Sequence, residues 1–255
     1  MKIAIIGAGA MGGAIAEGAL KANLAHEVIV SNPSTGKLEP FAQAGMKTTT
    51  DNREAVAEAD LVVLAVKPWI VEVVLAEIRD LLTADKILVS LAAGIGGEKL
   101  QLWTCGVCKL FLAIPNIAIA QQLSMTFVTP VNAMEEDTAR VVDFFGEMGK
   151  TCICDEQHLR AGMALASCGI AYAFRYIRAA SEGGVELGFK ARQAQEIVMQ
   201  TLKGAVALLE AEGLHPEEAI DCVTTPGGTT IKGLNEMEHA GFTSSVIRGL
   251  KACVS

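Results

Sequence analysis

Two stretches of this chain hold residues that can grip an anion. Near the N-terminus Gly7, Gly9 and Gly12 are spaced as G-x-G-x-x-G in "GAGAMG". Near the C-terminus Thr224, Thr225, Thr229 and Thr230 flank Pro226, Gly227 and Gly228 in "TTPGGTT". The first stretch follows a short apolar strand and opens a helix, the setting in which such glycines cradle a pyrophosphate. Gly7 permits the tight turn, Gly9 lets backbone approach the phosphates, and Gly12 lets helix pack close to strand. Ala10 and Met11 complete the loop, and the helix N-terminus adds unpaired N–H groups and partial positive charge. The second stretch offers hydroxyls and, around Gly227 and Gly228, N–H groups in a nest-like turn suited to a carboxylate. A plain hinge between two helices is the other use of those residues.

The second strand bears on the cofactor. It ends in Ser31-Asn32-Pro33-Ser34-Thr35-Gly36-Lys37. A carboxylate at this point suits a dinucleotide without a 2′-phosphate, and none is present. The hydroxyls of Ser31 and Ser34, the Asn32 amide and Lys37 favour NADP(H), with NAD(H) as the alternative. "LAVKP" (residues 64–68) and "SLAAGI" (residues 90–95) end two further strands, where ligands sit in an open α/β sheet. Ala65, Ala92, Ala93 and Gly94 are small enough for a nicotinamide ring to lie against backbone. Lys67, between Val66 and Pro68, is expected to turn toward the cofactor.

Alcohol oxidation calls for a proton-handling residue beside the substrate. The long helix "RAGMALASCGIAYAFRY" carries no lysine, and His158, His215 and His239 stand in no motif. Hydride transfer to an imine relaxes that need, because an iminium is already electrophilic. Its site has only to hold a carboxylate and hydrogen-bond the ring nitrogen, and a threonine of the second loop suits both tasks.

These residues need elements to carry them. The spacing predicts strands at "KIAII", "EVIVSN", "ADLVVLAVKP", "KILVSLAAGI", "VCKLFLAIPN", "SMTFVTP" and "TCICD", with helices over 11–22, 34–44, 70–82 and 134–149. That alternation means α/β, a Rossmann-type parallel sheet with helices on both faces. After Asp155 only helices are expected, at 159–180, 190–212, 215–223 and 242–254, with Ser34 and Thr243 as caps. The predicted domains are therefore 1–155, binding the dinucleotide, and 156–255, all helical. The helical half is apolar and poor in outward charge, which points to a homodimer. Among 255 residues the net charge is -8 and there is no basic stripe, which excludes nucleic acid. No apolar run reaches the roughly 20 residues of a membrane span, and no export signal is evident, so a cytoplasmic protein is expected. The seven cysteines read as reduced thiols, and the pairs Cys105/Cys108 and Cys152/Cys154 match no metal-site spacing.

Beyond these readings the chain resembles a family. "VTTPGGTTIKGL" with "MEHAGF", "MQTLKGAVALL", "EGGVELGF", "LAVKP" and "SLAAGI" are similar, in order and spacing across nearly the whole chain, to pyrroline-5-carboxylate reductases. The resemblance implies NAD(P)H-dependent reduction of a cyclic imino acid to proline, and a helical dimerisation domain that interleaves between subunits, as a dimer or a higher oligomer. It implies that Thr225, Gly228, Thr229 and Thr230 bind the substrate carboxylate, that Thr230 faces the imine nitrogen as the catalytic residue, and that Asn116 meets substrate and cofactor. Two stretches depart from the family pattern. In "LAIPNIA" Leu112 stands for an arginine, and Ile117 and Ala118 for Thr-Pro. In "SCGIAY" Cys168 stands for a serine and Ile170 for a proline. The departures leave two further readings, a reductase of a different cyclic imine and a non-catalytic NADP-binding relative.

Overall fold

The computed structural model describes residues 1–24 and 27–254. Eight strands form one sheet: β1 Ile3–Ile6, β2 Val28–Ser31, β3 Lys47–Thr49, β4 Leu61–Leu64, β5 Ile87–Ser90, β6 Lys109–Ile114, β7 Ser124–Pro130 and β8 Gly149–Ile153. Their order is β3-β2-β1-β4-β5-β6-β7-β8. The helices of this part are α1 Ala10–Lys21, α2 Glu39–Gln43, α3 Asn52–Ala57, α4 Val71–Ile78, α5 Gly97–Thr104, α6 Glu135–Gly146 and α7 Glu156–Gly162.

Successive strand residues feed opposite faces, as the pleat requires. Ile3, Ile5, Val28, Val30, Leu61 and Val63 pack with Ile15 and Ala19 of α1 and Phe144 and Phe145 of α6. Ala4, Ile6, Val62, Leu64, Leu88 and Leu112 pack with Val56 of α3, Leu75 and Ile78 of α4 and Leu159 of α7. Both faces are covered, which is why the central strands read as unbroken apolar runs.

Three expectations need correction here. The sheet is not wholly parallel, since β7 runs antiparallel to β6, with Leu112 opposite Thr129. Only residues 115–123 join these strands, and a parallel return needs a dozen or more. α6 then provides the crossover that sets β8 parallel to β7. Second, β4 ends at Leu64, so Ala65, Val66 and Lys67 are loop and Pro68 opens a short 3-10 turn. Third, the expected helix over 34–44 is a 3-10 turn, Thr35–Lys37, followed by α2, and Ser34 makes no side-chain cap. The reading of the sequence also passed over β3, α3 and α5, all short.

Compact packing divides the chain into Met1–Ser167 and the residues from Cys168 onward. The first unit runs past Asp155 because α7 lies on the sheet: Leu159 is buried, and a Cβ on Gly162 would stand 2.7 Å from the Phe127 ring. The helix expected over 159–180 is interrupted by a π segment at Met163–Cys168.

The second unit holds α8 Gly169–Glu186, α9 Ala191–Glu212, α10 Pro216–Cys222, α11 Thr229–His239 and α12 Phe242–Ala252. α8 and α9 touch closely, since a Cβ on Gly184 would stand 2.8 Å from that of Ala194. Gly213, at φ 66°, ends α9 in the left-handed conformation that glycine accepts. Pro216 occupies the first turn of α10, where a missing N–H costs nothing. His215, one of the histidines without a motif, closes a capping box with Glu218 there. Thr243 does not cap α12. Gly241 holds that place at φ 82°, and the Thr243 hydroxyl donates to Glu238 Oε2 at 2.8 Å. Among the described residues of this unit only Ala194 is buried.

Candidate active site

The glycine loop is held from three sides. Gly7 N donates to Ser31 O at 2.7 Å, and Gly7 sits at φ 104° with Ala65 O 2.8 Å from where a Cβ would be. A Cβ on Gly12 would lie 1.8 Å from Gly7 O and 3.0 Å from Ala65 Cβ. Gly9, the N-cap of α1, faces open space, and no side chain caps the helix. The N–H groups of the first turn therefore point to a place a phosphate can take. Ala10 is exposed at the start of α1, and Met11 packs partly on the core.

The end of β2 divides its polar residues between two tasks. Ser31 is fully buried and its hydroxyl donates to Asn52 Oδ1 at 2.7 Å. Asn32 is buried too: its Oδ1 accepts from Ala8 N at 3.1 Å and its Nδ2 donates to Ser34 O at 3.1 Å. Of these two side chains, expected to meet the cofactor, Asn32 ties Ala8 of the glycine loop to the end of β2 and Ser31 ties β2 to α3. Ser34, Thr35 and Lys37 are exposed beyond them. These three fit a 2′-phosphate, and with the open N–H groups at Gly9 they make NADP(H) the dinucleotide this unit fits.

At the carboxyl ends of β5 and β6 lies a cavity of about 390 Å³. Ala92, Ala93, Gly94, Leu112, Ile114 and Met163 line it, together with Glu156 and Arg160 of α7. Gly94 has φ 77° and open space at its Cβ position, so backbone is accessible there. Ala65 and Val66 are half-buried beside the glycine loop, while Lys67 is exposed at the outer end of that turn. Glu156 Oε2 accepts from Gly97 N at 3.3 Å, placing a carboxylate at the N-terminus of α5. The Arg160 guanidinium has no hydrogen-bond or ion-pair partner among the described residues. Leu112 gives the cavity apolar bulk, and its one cation comes from α7. Sequence reading passed over Arg160, whose only signal is that it stands one turn beyond Glu156.

Asn116 is 5% exposed and its amide is largely used within the unit. Oδ1 accepts from Ala118 N at 3.0 Å, capping the turn Ile117–Gln121, and Nδ2 donates to Ala166 O of the π segment at 3.3 Å. One amide hydrogen is left for a ligand.

In the second unit, Thr225 to Gly228 form a tight turn, with Gly228 N donating to Thr225 O at 2.9 Å and Gly227 at φ 74°. Pro226 followed by a left-handed glycine is the signature of a type II turn. A Cβ on Gly228 would stand 2.6 Å from Thr225 Oγ1. Gly228 is the N-cap of α11, so Thr229 and Thr230 are the first residues of a helix rather than a loop. No side chain caps that helix, and its first N–H groups are open to an anion. The hydroxyls of Thr225, Thr229 and Thr230 have no partner among the described residues, whereas Thr224 Oγ1 donates to Asp221 O at 3.3 Å.

The chain is similar to known proteins over most of its length. Residues 156–255 match the pyrroline-5-carboxylate reductase dimerisation family, and residues 2–94 match the coenzyme F420-dependent NADP oxidoreductase family. A pyrroline-5-carboxylate reductase of Pisum sativum is 33% identical, over 98% of this chain and 92% of its own length. Pyrroline-5-carboxylate reductase 1 of Dictyostelium discoideum is 35% identical over 97% of this chain, which spans 48% of that relative. The crystal structure of Plasmodium falciparum pyrroline carboxylate reductase with NADP bound superposes with a TM-score of 0.89 at 26% identity, covering 100% of this chain and 95% of that one.

Proposed function

Because the chain belongs to the pyrroline-5-carboxylate reductase family, we propose that its two anion-holding loops serve the reduction of 1-pyrroline-5-carboxylate to proline. It is an NADP-dependent oxidoreductase acting on CH–NH bonds. When bound, NADPH supplies the hydride. The chain's own residues divide the remaining work. The N–H groups of Gly9 to Gly12 hold the pyrophosphate, and Ser34, Thr35 and Lys37 meet the 2′-phosphate. Ala92, Ala93 and Gly94 give the nicotinamide side a surface without bulk. Thr225, Thr229 and Thr230, with the open N–H groups of α11, take the substrate carboxylate. The Thr230 hydroxyl hydrogen-bonds the ring nitrogen and so orients the imine carbon. No side-chain base is needed, since the protonated imine is electrophilic without one.

The observation that carries this reading is the uncapped first turn of α11, with three unpartnered threonine hydroxyls around it. The test is NADPH oxidation with the cyclic imine, with proline identified as product and other cyclic imines run beside it. Turnover dependent on both reactants is expected. A folded sample that binds NADPH and forms no proline sinks the assignment.

The same proposal includes a homodimer through the second unit. Phe174, Tyr176, Phe189, Ile197 and Ile247 of that unit are all exposed, and open apolar faces of this kind mark an interface. Sedimentation should give twice the chain mass, and a monomer at working concentration would refute it. No helix of the described residues is long and apolar enough to cross a membrane. The proposed address is the cytoplasm, where reduced thiols persist. Cell fractionation checks it.

A further inference from the structure

Trp69 stands close to the glycine loop, and the reaction described above gives it no task. It is 76% exposed, whereas the second of the chain's two tryptophans, Trp103, packs partly on the core. Trp69 sits in the 3-10 turn Pro68–Ile70, four residues past Ala65, whose carbonyl crowds Gly7. A large aromatic left in water beside a ligand crevice is a surface that a flat ligand can cover.

The direction it faces is set by α4. β4 and β5 are parallel, so α4 returns along the sheet and its first residues stand at the carboxyl ends of the strands. Val71, Val74, Leu75 and Ile78 bury one face of α4. Trp69, Val73 and Glu77 follow at intervals of four and so share another face. The hydrogen bonds of Glu77 show where that face looks. Its Oε2 accepts from Asn52 Nδ2 at 2.9 Å, and its carbonyl accepts from Arg53 Nη1 at 2.6 Å. Asn52 Oδ1 in turn accepts from the Ser31 hydroxyl, at the end of β2, at 2.7 Å. The face that carries Trp69 therefore looks toward α3 and the end of β2. Eight residues separate Trp69 from Glu77, roughly 12 Å along a helix axis, which raises the indole above the strand ends. Beyond the end of β2 are the exposed Ser34, Thr35 and Lys37. Only β1 lies between β2 and β4, so the two loops rise from strands roughly 10 Å apart.

We propose that Trp69 stacks on the adenine of NADP(H). This rests on the NADP(H) reading above and adds the base to it. The adenine is joined to the same ribose as the 2′-phosphate. With that phosphate at Ser34, Thr35 and Lys37, the base falls in the gap between their edge and the loop after β4. A purine is flat, and a gap of roughly 10 Å takes one ring with a wall on either side. The indole is the apolar wall. Pro68 presets the backbone of the turn and so holds the indole in place. Base–aromatic stacking adds affinity through the ring face alone, so Trp69 tightens the nucleotide without touching the hydride chemistry.

The test uses 2′,5′-ADP, which carries the adenine and the 2′-phosphate but no nicotinamide. Its binding to the full-length protein is followed by calorimetry and by tryptophan emission. Saturation should quench the wild-type emission. Trp69→Phe, which leaves Trp103 as the only emitter, should bind the ligand without quenching. Trp69→Ala should raise the Kd for 2′,5′-ADP and for NADPH about tenfold. That is about 1.4 kcal/mol, within the range of one base on one aromatic ring. The inference fails if 2′,5′-ADP binds and leaves the wild-type emission unchanged, or if Trp69→Ala binds it as tightly as the wild type. It also fails if the emission follows protein dilution and ignores the ligand, since the indole then lies between two chains. If neither 2′,5′-ADP nor NADPH binds, the NADP(H) reading itself falls and this inference falls with it.

Discussion

The glycine loop and the threonine–glycine loop offer the same kind of group, open N–H donors at a helix start, but they are held in opposite ways. The first is built into a sheet. Gly7 is bonded to β2, Asn32 holds Ala8, and Ala65 crowds Gly7 and Gly12. The second stands on an exposed surface, fixed by one turn and by the helix it opens. A loop fixed by its own unit is ready for its ligand. A loop fixed only locally depends on what covers its unit. Substitutions in the first should therefore damage fold and cofactor binding together, while those in the second should damage chemistry alone.

The largest effect is expected at Gly12. In Gly12→Ala the new methyl meets the Gly7 carbonyl at 1.8 Å, a backbone atom that cannot turn aside. Overpacking of this kind costs about 1–3 kcal/mol, and more where backbone must move. NADPH binding measured by cofactor fluorescence should be lost, and the melting temperature should fall. A variant that binds NADPH normally would show that α1 is not fixed against β1.

The next is at Thr230, where the comparison is sharpest. Thr230→Val keeps the shape and removes an exposed hydroxyl without a partner. Loss of one preorganised polar contact to the reacting group costs roughly 2.7–4 kcal/mol, or about 10²–10³ in rate. The NADPH Kd and the melting temperature should not move. A shift in either would make Thr230 a structural residue. Equal activity would remove it from the chemistry.

How far these sites were legible differs in the same way. The glycine roles could be read from spacing because each is enforced by local geometry: a turn at Gly7, an approach at Gly9, a contact at Gly12. The roles of Ser31 and Asn32 could not. Their partners, Asn52, Ala8 and Ser34, become visible only when β2 is set beside β1 and α3. The antiparallel β7 was open to inference from the short 115–123 connection. The π segment at Met163–Cys168 left no mark in a helix-forming sequence. Arg160 was missed because nothing local tells a cavity cation from a solvated one. Thr229 and Thr230 read as loop because Pro-Gly-Gly signals a turn, while α11 starts three residues past Pro226.

Asn32 gives a smaller effect and tests whether bracing is its task. Asn32→Ala leaves the buried Ala8 N–H without its acceptor, a loss of about 1–3 kcal/mol. Stability to urea and the KM for NADPH should both worsen, with kcat at saturation little changed. If KM rises about tenfold and stability holds, Asn32 contacts the cofactor directly and is not a brace.

Lys37 should give the smallest change, and it separates the two nicotinamide cofactors. Its ammonium is exposed, so solvent screens its attraction to a 2′-phosphate to about 1 kcal/mol. Lys37→Gln should raise the KM for NADPH roughly fivefold, since about 1.4 kcal/mol is a factor of ten. The KM for NADH, which carries no 2′-phosphate, should stay the same. The ratio of the two is the informative quantity, because any general loosening of the loop moves both. An unchanged ratio would shift recognition of the 2′-phosphate to Ser34 and Thr35, whose hydroxyls stand at the same exposed edge beyond the braced pair Ser31 and Asn32.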